Sequence, residues 1–146
     1  MTDAEPLFLD TNILVYANVA EAPFHARAFD AIQRAHSAKR PLWISRQVLR
    51  EYLAILTRPQ AFTQPIPKDI AIERVRYFET RFQVADDTAA VTAQLLRLLH
   101  DFQIGGKQIH DANIVATMQT LGIRCLLTHN HQDFKRFGAR ICLEAI

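Results

Sequence analysis

Short apolar runs alternating with longer stretches of helical periodicity are the feature that most narrows the folds open to this chain. Leu7-Phe8-Leu9, Leu42-Trp43-Ile44, Phe82-Gln83-Val84, Cys125-Leu126-Leu127 and Arg140-Ile141-Cys142-Leu143 each read as a short strand, the last at a sheet edge. Between them, apolar residues recur at helical spacing. Phe24, Ala28, Ala31, Ile32 and Ala35 predict a helix from about Pro23 to Ala38. Val48, Leu49, Tyr52, Leu53 and Leu56 predict another, with Ser45 as its N-cap. Ile70, Ile72, Val75 and Phe78 form a third stripe behind Pro67, a residue suited to a first helical turn. Ala90, Val91, Leu95, Leu98 and Leu99 form a fourth, capped by Asp87 or Thr88, and His110 to Leu121 a last long helix closed by Gly122. The longest loop runs from Arg58-Pro59 to Pro67.

This alternation, over 146 residues, predicts a single domain spanning 1–146: an α/β three-layer sandwich around a mostly parallel sheet of four to five strands. Ligands of such sheets bind outside the carboxyl ends of the strands, near a topological switch point. Asp10 directly follows the first strand, and the turn from Asn130 to Asp133 follows the fourth.

Composition excludes several classes. Apolar residues make up 49% of the chain, enough for a core and too many for a disordered segment. Lys and Arg number 17 against 15 Asp and Glu, so the net charge of +2 does not by itself announce a nucleic-acid binder. Placement says more: Arg46, Arg50, Lys107, Lys135 and Arg136 fall near the acids considered below. Two cysteines, Cys125 and Cys142, make no disulfide framework and read as reduced thiols on neighbouring strands. The acidic opening Thr2-Asp3-Ala4-Glu5 and the lack of a long apolar run predict a cytoplasmic protein without a membrane span.

Taken singly, the acids have structural roles available. Asp10, Asp111 and Asp133 each stand where a carboxylate can cap a helix, and Glu51 shares a helix side with Val48 and Ile55, tilted toward the core. Taken together, they should converge on one edge of the sheet. Clustered carboxylates raise one another's pKa and are costly unless a cation neutralises them. Hard oxygen donors select Mg²⁺ or Mn²⁺, and such an ion is what phosphodiester hydrolysis needs to activate a water and to shield charge developing on the phosphate.

Four segments carry a family resemblance in order and spacing: Leu7-Phe8-Leu9-Asp10-Thr11-Asn12-Ile13-Leu14, Ile44-Ser45-Arg46-Gln47-Val48-Leu49-Arg50-Glu51-Tyr52, Ile109-His110-Asp111-Ala112-Asn113-Ile114-Val115-Ala116 and Leu127-Thr128-His129-Asn130-His131-Gln132-Asp133-Phe134. From about residue 6 onward the chain resembles the PIN-domain family and, within it, the VapC-type toxins. The resemblance implies a metal-dependent endoribonuclease acting on RNA, paired with a cognate antitoxin protein and assembled as a homodimer. It implies Asp10, Glu51 and Asp111 as the acidic triad, with either Asn130 or Asp133 as a fourth metal-site residue and Asp133 favoured as the acid. Thr11, Asn12, Ser45 and Thr128 would orient those carboxylates.

Other residues divide between a functional and an ordinary reading. Arg46 and Arg50 could track an RNA backbone or be solvated, and Lys107 could meet a phosphate or be an exposed lysine after a turn. His110, His129 and His131 read as loop and cap residues, with contact to substrate phosphate as the sharper alternative. Their spacing offers no tetrahedral zinc set. The helical stretch from Phe24 and the Tyr77-Phe78 region have apolar residues that an antitoxin peptide or a second copy could cover, with burial in the core as the default. Two other classes compete: a PIN fold that only binds RNA or protein, and a phosphatase of the haloacid dehalogenase type. The phosphatase needs a second acid two residues after its nucleophile, where this chain has Asn12.

Overall fold

The computed structural model describes residues 4–59 and 64–146, so Thr2-Asp3 and the middle of the expected proline-bearing loop lie outside the described residues. Among these residues five strands, β1 (Leu7–Leu9), β2 (Leu42–Ser45), β3 (Gln83–Ala85), β4 (Cys125–Leu127) and β5 (Cys142–Glu144), pair entirely in parallel in the order β3-β2-β1-β4-β5. β1 and β4 are buried at every residue, as central strands covered on both faces must be.

Among the described residues seven helices connect them: α1 (Thr11–Asn18), α2 (His25–Ser37), α3 (Arg46–Thr57), α4 (Lys68–Arg81), α5 (Ala89–Asp101), α6 (Gln108–Thr120) and the short α7 (His131–Phe134), which runs into a 3-10 segment at Lys135–Arg140. From β1 the chain steps outward to β2 and β3, then returns across β1 to β4 and β5. Right-handed crossovers therefore place α1–α4 on one face and α5–α6 on the other. The packing agrees: α1 contacts α2 and α3, α3 contacts α4, and α5 lies against α6. The direction reverses between β1 and β4, which sets the switch point beside Asp10 and Thr128.

Local chemistry fixes the element ends. Asp10, Ser45 and Thr88 each accept a hydrogen bond at a helix start, from Thr11 N, Val48 N and Val91 N. Gly122, at φ 70°, takes the left-handed position after α6, where a Cβ would be unfavourable.

Several expectations are corrected. Phe24 is not part of the buried stripe of α2: it precedes the helix in the left-handed region (φ 61°) and is exposed, while Ala28, Ala31, Ile32 and Ala35 are buried. On α4 the core face is Ala71 and Phe78, so Ile70 and Ile72 point outward. Ala90 is exposed, and Val91 and Leu98 carry the contact of α5. Asp111 and Asp133 cap nothing, because α6 and α7 begin upstream of them and enclose both residues in their first turns. Cys125 and Cys142, by contrast, lie as expected: free thiols paired in register on the neighbouring strands β4 and β5.

Candidate metal centre and catalytic cleft

Asp10 leaves the central strand with its backbone N–H still bonded to Leu127 O at 3.0 Å, which holds it against β4. Its Oδ1 accepts from Thr11 N at 2.8 Å, and its Oδ2 accepts from the Thr128 hydroxyl at 2.8 Å and Asn12 Nδ2 at 3.2 Å. Thr128 Oγ1 in turn accepts from Asn130 N at 3.0 Å, which leaves its single proton for Asp10. Asp10 is only 6% exposed. Burial pushes its pKa up to about 6 against those hydrogen bonds, with Glu51 and Asp133 adding repulsion.

Glu51 projects from α3. Its Oε2 accepts from Thr11 Oγ1 at 3.3 Å and its Oε1 from Gln47 Nε2 at 3.4 Å. Gln47, one turn earlier and 5% exposed, also donates to His110 O at 2.7 Å and accepts from Asn113 Nδ2 at 2.8 Å. One buried amide thus ties the helix carrying Glu51 to the helix carrying Asp111. Asp111 is half-buried, and its pKa is raised to about 7, first by burial and then by Asp10, Asp133 and Glu51, with the Arg136 guanidinium pulling the other way.

These side chains meet in an open cleft of about 290 Å³ at the carboxyl ends of β1 and β4, lined by Asp10, Thr11, Asn12, Glu51, Asp111 and Asn130, with Ala54 and Ile55 as an apolar rim. Asn130 lines the cleft directly. Asp133 is exposed on α7 and acts on Asp10 and Asp111 through its charge.

Other expected site residues lie elsewhere. Ser45 caps α3 through Val48 N at 3.3 Å and does not orient a carboxylate. Arg46 is held by Glu79 and by Asp86 at 3.2 Å, and Arg50 by Asp87 at 3.8 Å, so both lie on the stripe of α3 next to the one bearing Gln47 and Glu51. Lys107 and His110 are exposed at the start of α6, and His110 meets the site through its carbonyl. His131 Nε2 lies 3.2 Å from Glu144 O, at the end of β5. Among the five basic residues expected nearby, Arg136 acts on Asp111; its Nε is buried without a partner among the described residues, and its Nη1 donates to Gln103 O at 3.4 Å. Gln47 and Asn113 were not singled out by the sequence. Their signal was a polar residue one helical turn before Glu51 and another two residues after Asp111, each on an otherwise buried helix side.

The donor set tests which ion suits the cleft. Asp10, Glu51, Asp111 and Asn130 offer oxygen only, and two of the acids have pKa values lifted by burial and mutual repulsion, a cost that a hard divalent cation removes. Mg²⁺ or Mn²⁺ fits. A second group, Cys125, Cys142 and Glu144, has ligand atoms within 4.8 Å of one another. There Arg40 donates from Nη1 and Nη2 to both oxygens of Glu144 at 2.8 Å, and a metal would have to displace that guanidinium.

A parallel sheet with an acid-lined cleft at its switch point defines a class of α/β domains that gather carboxylates around a divalent cation. The family model of the PIN domain matches residues 7–139, and the chain belongs to that family. It is similar to the ribonuclease VapC48 of Mycobacterium tuberculosis, 27% identical over 135 residues that span 90% of this chain and 92% of the relative. Among solved structures it resembles VapBC2 from Rickettsia felis bound to a DNA fragment from its promoter, with a TM-score of 0.73 and 22% identity over 96% of this chain and 98% of that one. It also resembles M. tuberculosis VapC20, described as a toxin that cleaves the sarcin-ricin loop, with a TM-score of 0.61 and 23% identity over 82% of this chain and 86% of that one. Among the described residues no helix is long and apolar enough to cross a membrane.

Proposed function

We propose that this PIN domain is a divalent-metal-dependent endoribonuclease, the toxin partner of an antitoxin protein. The convergence of Asp10, Glu51, Asp111 and Asn130 on one cleft carries this reading. The ribonuclease name of the relative supports RNA as substrate, and a toxin-antitoxin complex from Klebsiella pneumoniae with the same fold supports a neutralising protein as partner.

Asp10, Glu51 and Asp111 would hold Mg²⁺ or Mn²⁺, with Asn130 or Asp133 completing the set. When bound, the ion supplies a water of lowered pKa and shields the charge that develops on the phosphate. The chain's own residues set the geometry. Thr128, Asn12 and Thr11 fix both oxygens of Asp10, so this carboxylate cannot swing away on substrate entry. Glu51 keeps lone pairs available, since its two contacts are long, and is the group suited to accept a proton from the attacking water. The water oxygen attacks phosphorus in line, the bond from phosphorus to the 3′ oxygen breaks, and that oxygen takes up a proton. The products carry 5′-phosphate and 3′-hydroxyl ends. Arg136 is the cation placed to balance the substrate's charge beside Asp111.

The test is cleavage of single-stranded RNA by purified protein in Mg²⁺ or Mn²⁺. Cleavage should stop in EDTA and in Asp10→Asn or Asp111→Asn, with folding retained. A wild-type protein that cuts no RNA in either metal overturns the reading.

A further inference from the structure

Beside the acid cleft stands an aromatic group with no role in the scheme above. Phe24 lies with its ring centroid 4.3 Å from that of His129, the planes inclined by 38°, and 5.8 Å from that of Tyr16. Tyr16 meets His129 edge-on at 5.7 Å. The Arg27 guanidinium lies 5.3 Å from the Phe24 ring centroid. Asn12 joins this group to the catalytic acids: its Oδ1 accepts from His129 N at 3.3 Å while its Nδ2 donates to Asp10 Oδ2 at 3.2 Å.

Neither helix formation nor core packing accounts for Phe24. It holds the N-cap position of α2, where Ser, Thr, Asp or Asn serve best, and supplies no side-chain cap bond. Its backbone is left-handed at φ 61° and ψ 19°, a region unfavourable for a bulky side chain. The residue nonetheless remains 38% exposed. An aromatic side chain kept in an unfavourable backbone conformation yet left at the surface, one asparagine away from a catalytic carboxylate, is suited to a flat ligand. His25 and Phe29 extend the aromatic surface along α2, with ring centroids 6.2 Å apart and Phe29 47% exposed.

We propose that Tyr16, Phe24 and His129 form a stacking platform for one nucleobase of a single-stranded RNA next to the cleaved bond. Aromatic faces accept any base, and single strands present unstacked bases to such surfaces. Arg27, whose guanidinium lies over the Phe24 ring and donates to Ile146 O at 3.0 Å, adds a positive charge beside the platform. The platform rests on the endoribonuclease reading and selects for unpaired RNA by requiring a base free to leave its own stack.

The experiment compares wild type, Phe24→Ala, Phe24→Leu, Phe24→Trp and His129→Ala on a short single-stranded RNA in Mg²⁺. Fluorescence of a 2-aminopurine base beside the scissile bond is followed in the Asp111→Asn background, and circular dichroism melts verify folding. Phe24→Ala and Phe24→Leu should raise KM roughly five- to a hundredfold, the range for loss of one stacked base, and abolish quenching of 2-aminopurine on binding. Phe24→Trp should retain both, and His129→Ala should weaken both. If wild type cleaves RNA while Phe24→Leu keeps its KM and quenching, the platform is wrong and the nuclease reading stands. The same conclusion follows if the Phe24 variants lose only binding to a protein partner. If wild type does not cleave, the nuclease reading itself fails, and the platform with it.

Discussion

The hydroxyl of Thr128 donates to Asp10 Oδ2 at 2.8 Å while accepting the N–H of Asn130 at 3.0 Å, so one buried hydroxyl links the ends of the two central strands. That link aims Asp10 and sets the turn that brings Asn130 into the cleft.

Thr128→Val keeps the shape and removes both bonds. Asp10 loses its strongest hydrogen-bond stabilisation and its pKa rises above about 6. Affinity for Mn²⁺ should fall about ten- to a hundredfold, the usual effect of removing a group that orients a ligand. Thr128→Ser should stay near wild type. Calorimetric titration with Mn²⁺ checks both.

Gln47→Leu breaks the bridge between α3 and α6 and leaves His110 O and the Asn113 amide without their partner. The expected loss is about 1–3 kcal/mol in denaturant unfolding, the cost of buried polar groups left unpaired. Turnover should fall because Glu51 and Asp111 are no longer held in one frame. A variant with unchanged stability and unchanged turnover contradicts the bridge.

Without metal, stability should decline as pH rises. Folded Asp10 has a pKa of about 6 against an ordinary 3.8, so between these values the folded state binds more protons than the unfolded chain. The stabilisation is full below about pH 4 and lost as pH passes about 6. Asp111, raised to about 7, acts in the same direction to slightly higher pH. The Asp10 shift corresponds to roughly 3 kcal/mol. Urea unfolding in EDTA from about pH 5 to about pH 8 should show this decline, Asp10→Asn should reduce it, and Mg²⁺ should offset it.

Arg46→Ala should leave RNA cleavage within about twofold of wild type and change stability by under about 1 kcal/mol, as for an exposed ion pair. Its guanidinium is occupied by Glu79 and Asp86. A large rise in KM with a reduced salt dependence would instead place Arg46 on the RNA backbone.

What could be read in the sequence was local. A buried strand ending in Asp10, and a turn after the fourth strand, state their own positions at a sheet edge, and the alternation of strands and helices conveyed the parallel sandwich. What depended on partners distant in sequence could not be read. The acids that hold Arg46 and Arg50 lie on α4 and after β3, and Gln47 gains its meaning only when α6 arrives beside it. A capping role stood open for Asp111 beside its place in the acidic triad because a helix starting near His110 leaves it at the helix end, whereas α6 begins at Gln108 and already takes three residues before it into the helix. Phe24 fits a helical stripe by spacing, but the turn from Val19 to Phe24 places it outside the helix in a left-handed conformation that periodicity does not register.

The most direct test of the central claim is an anomalous difference map from crystals soaked in MnCl₂, on wild type and Asp111→Asn. A Mn²⁺ peak between Asp10 and Asp111 in wild type, lost or much weakened in Asp111→Asn, is the predicted result. No peak in the acid cleft, or one only at Cys125, Cys142 and Glu144, would contradict it.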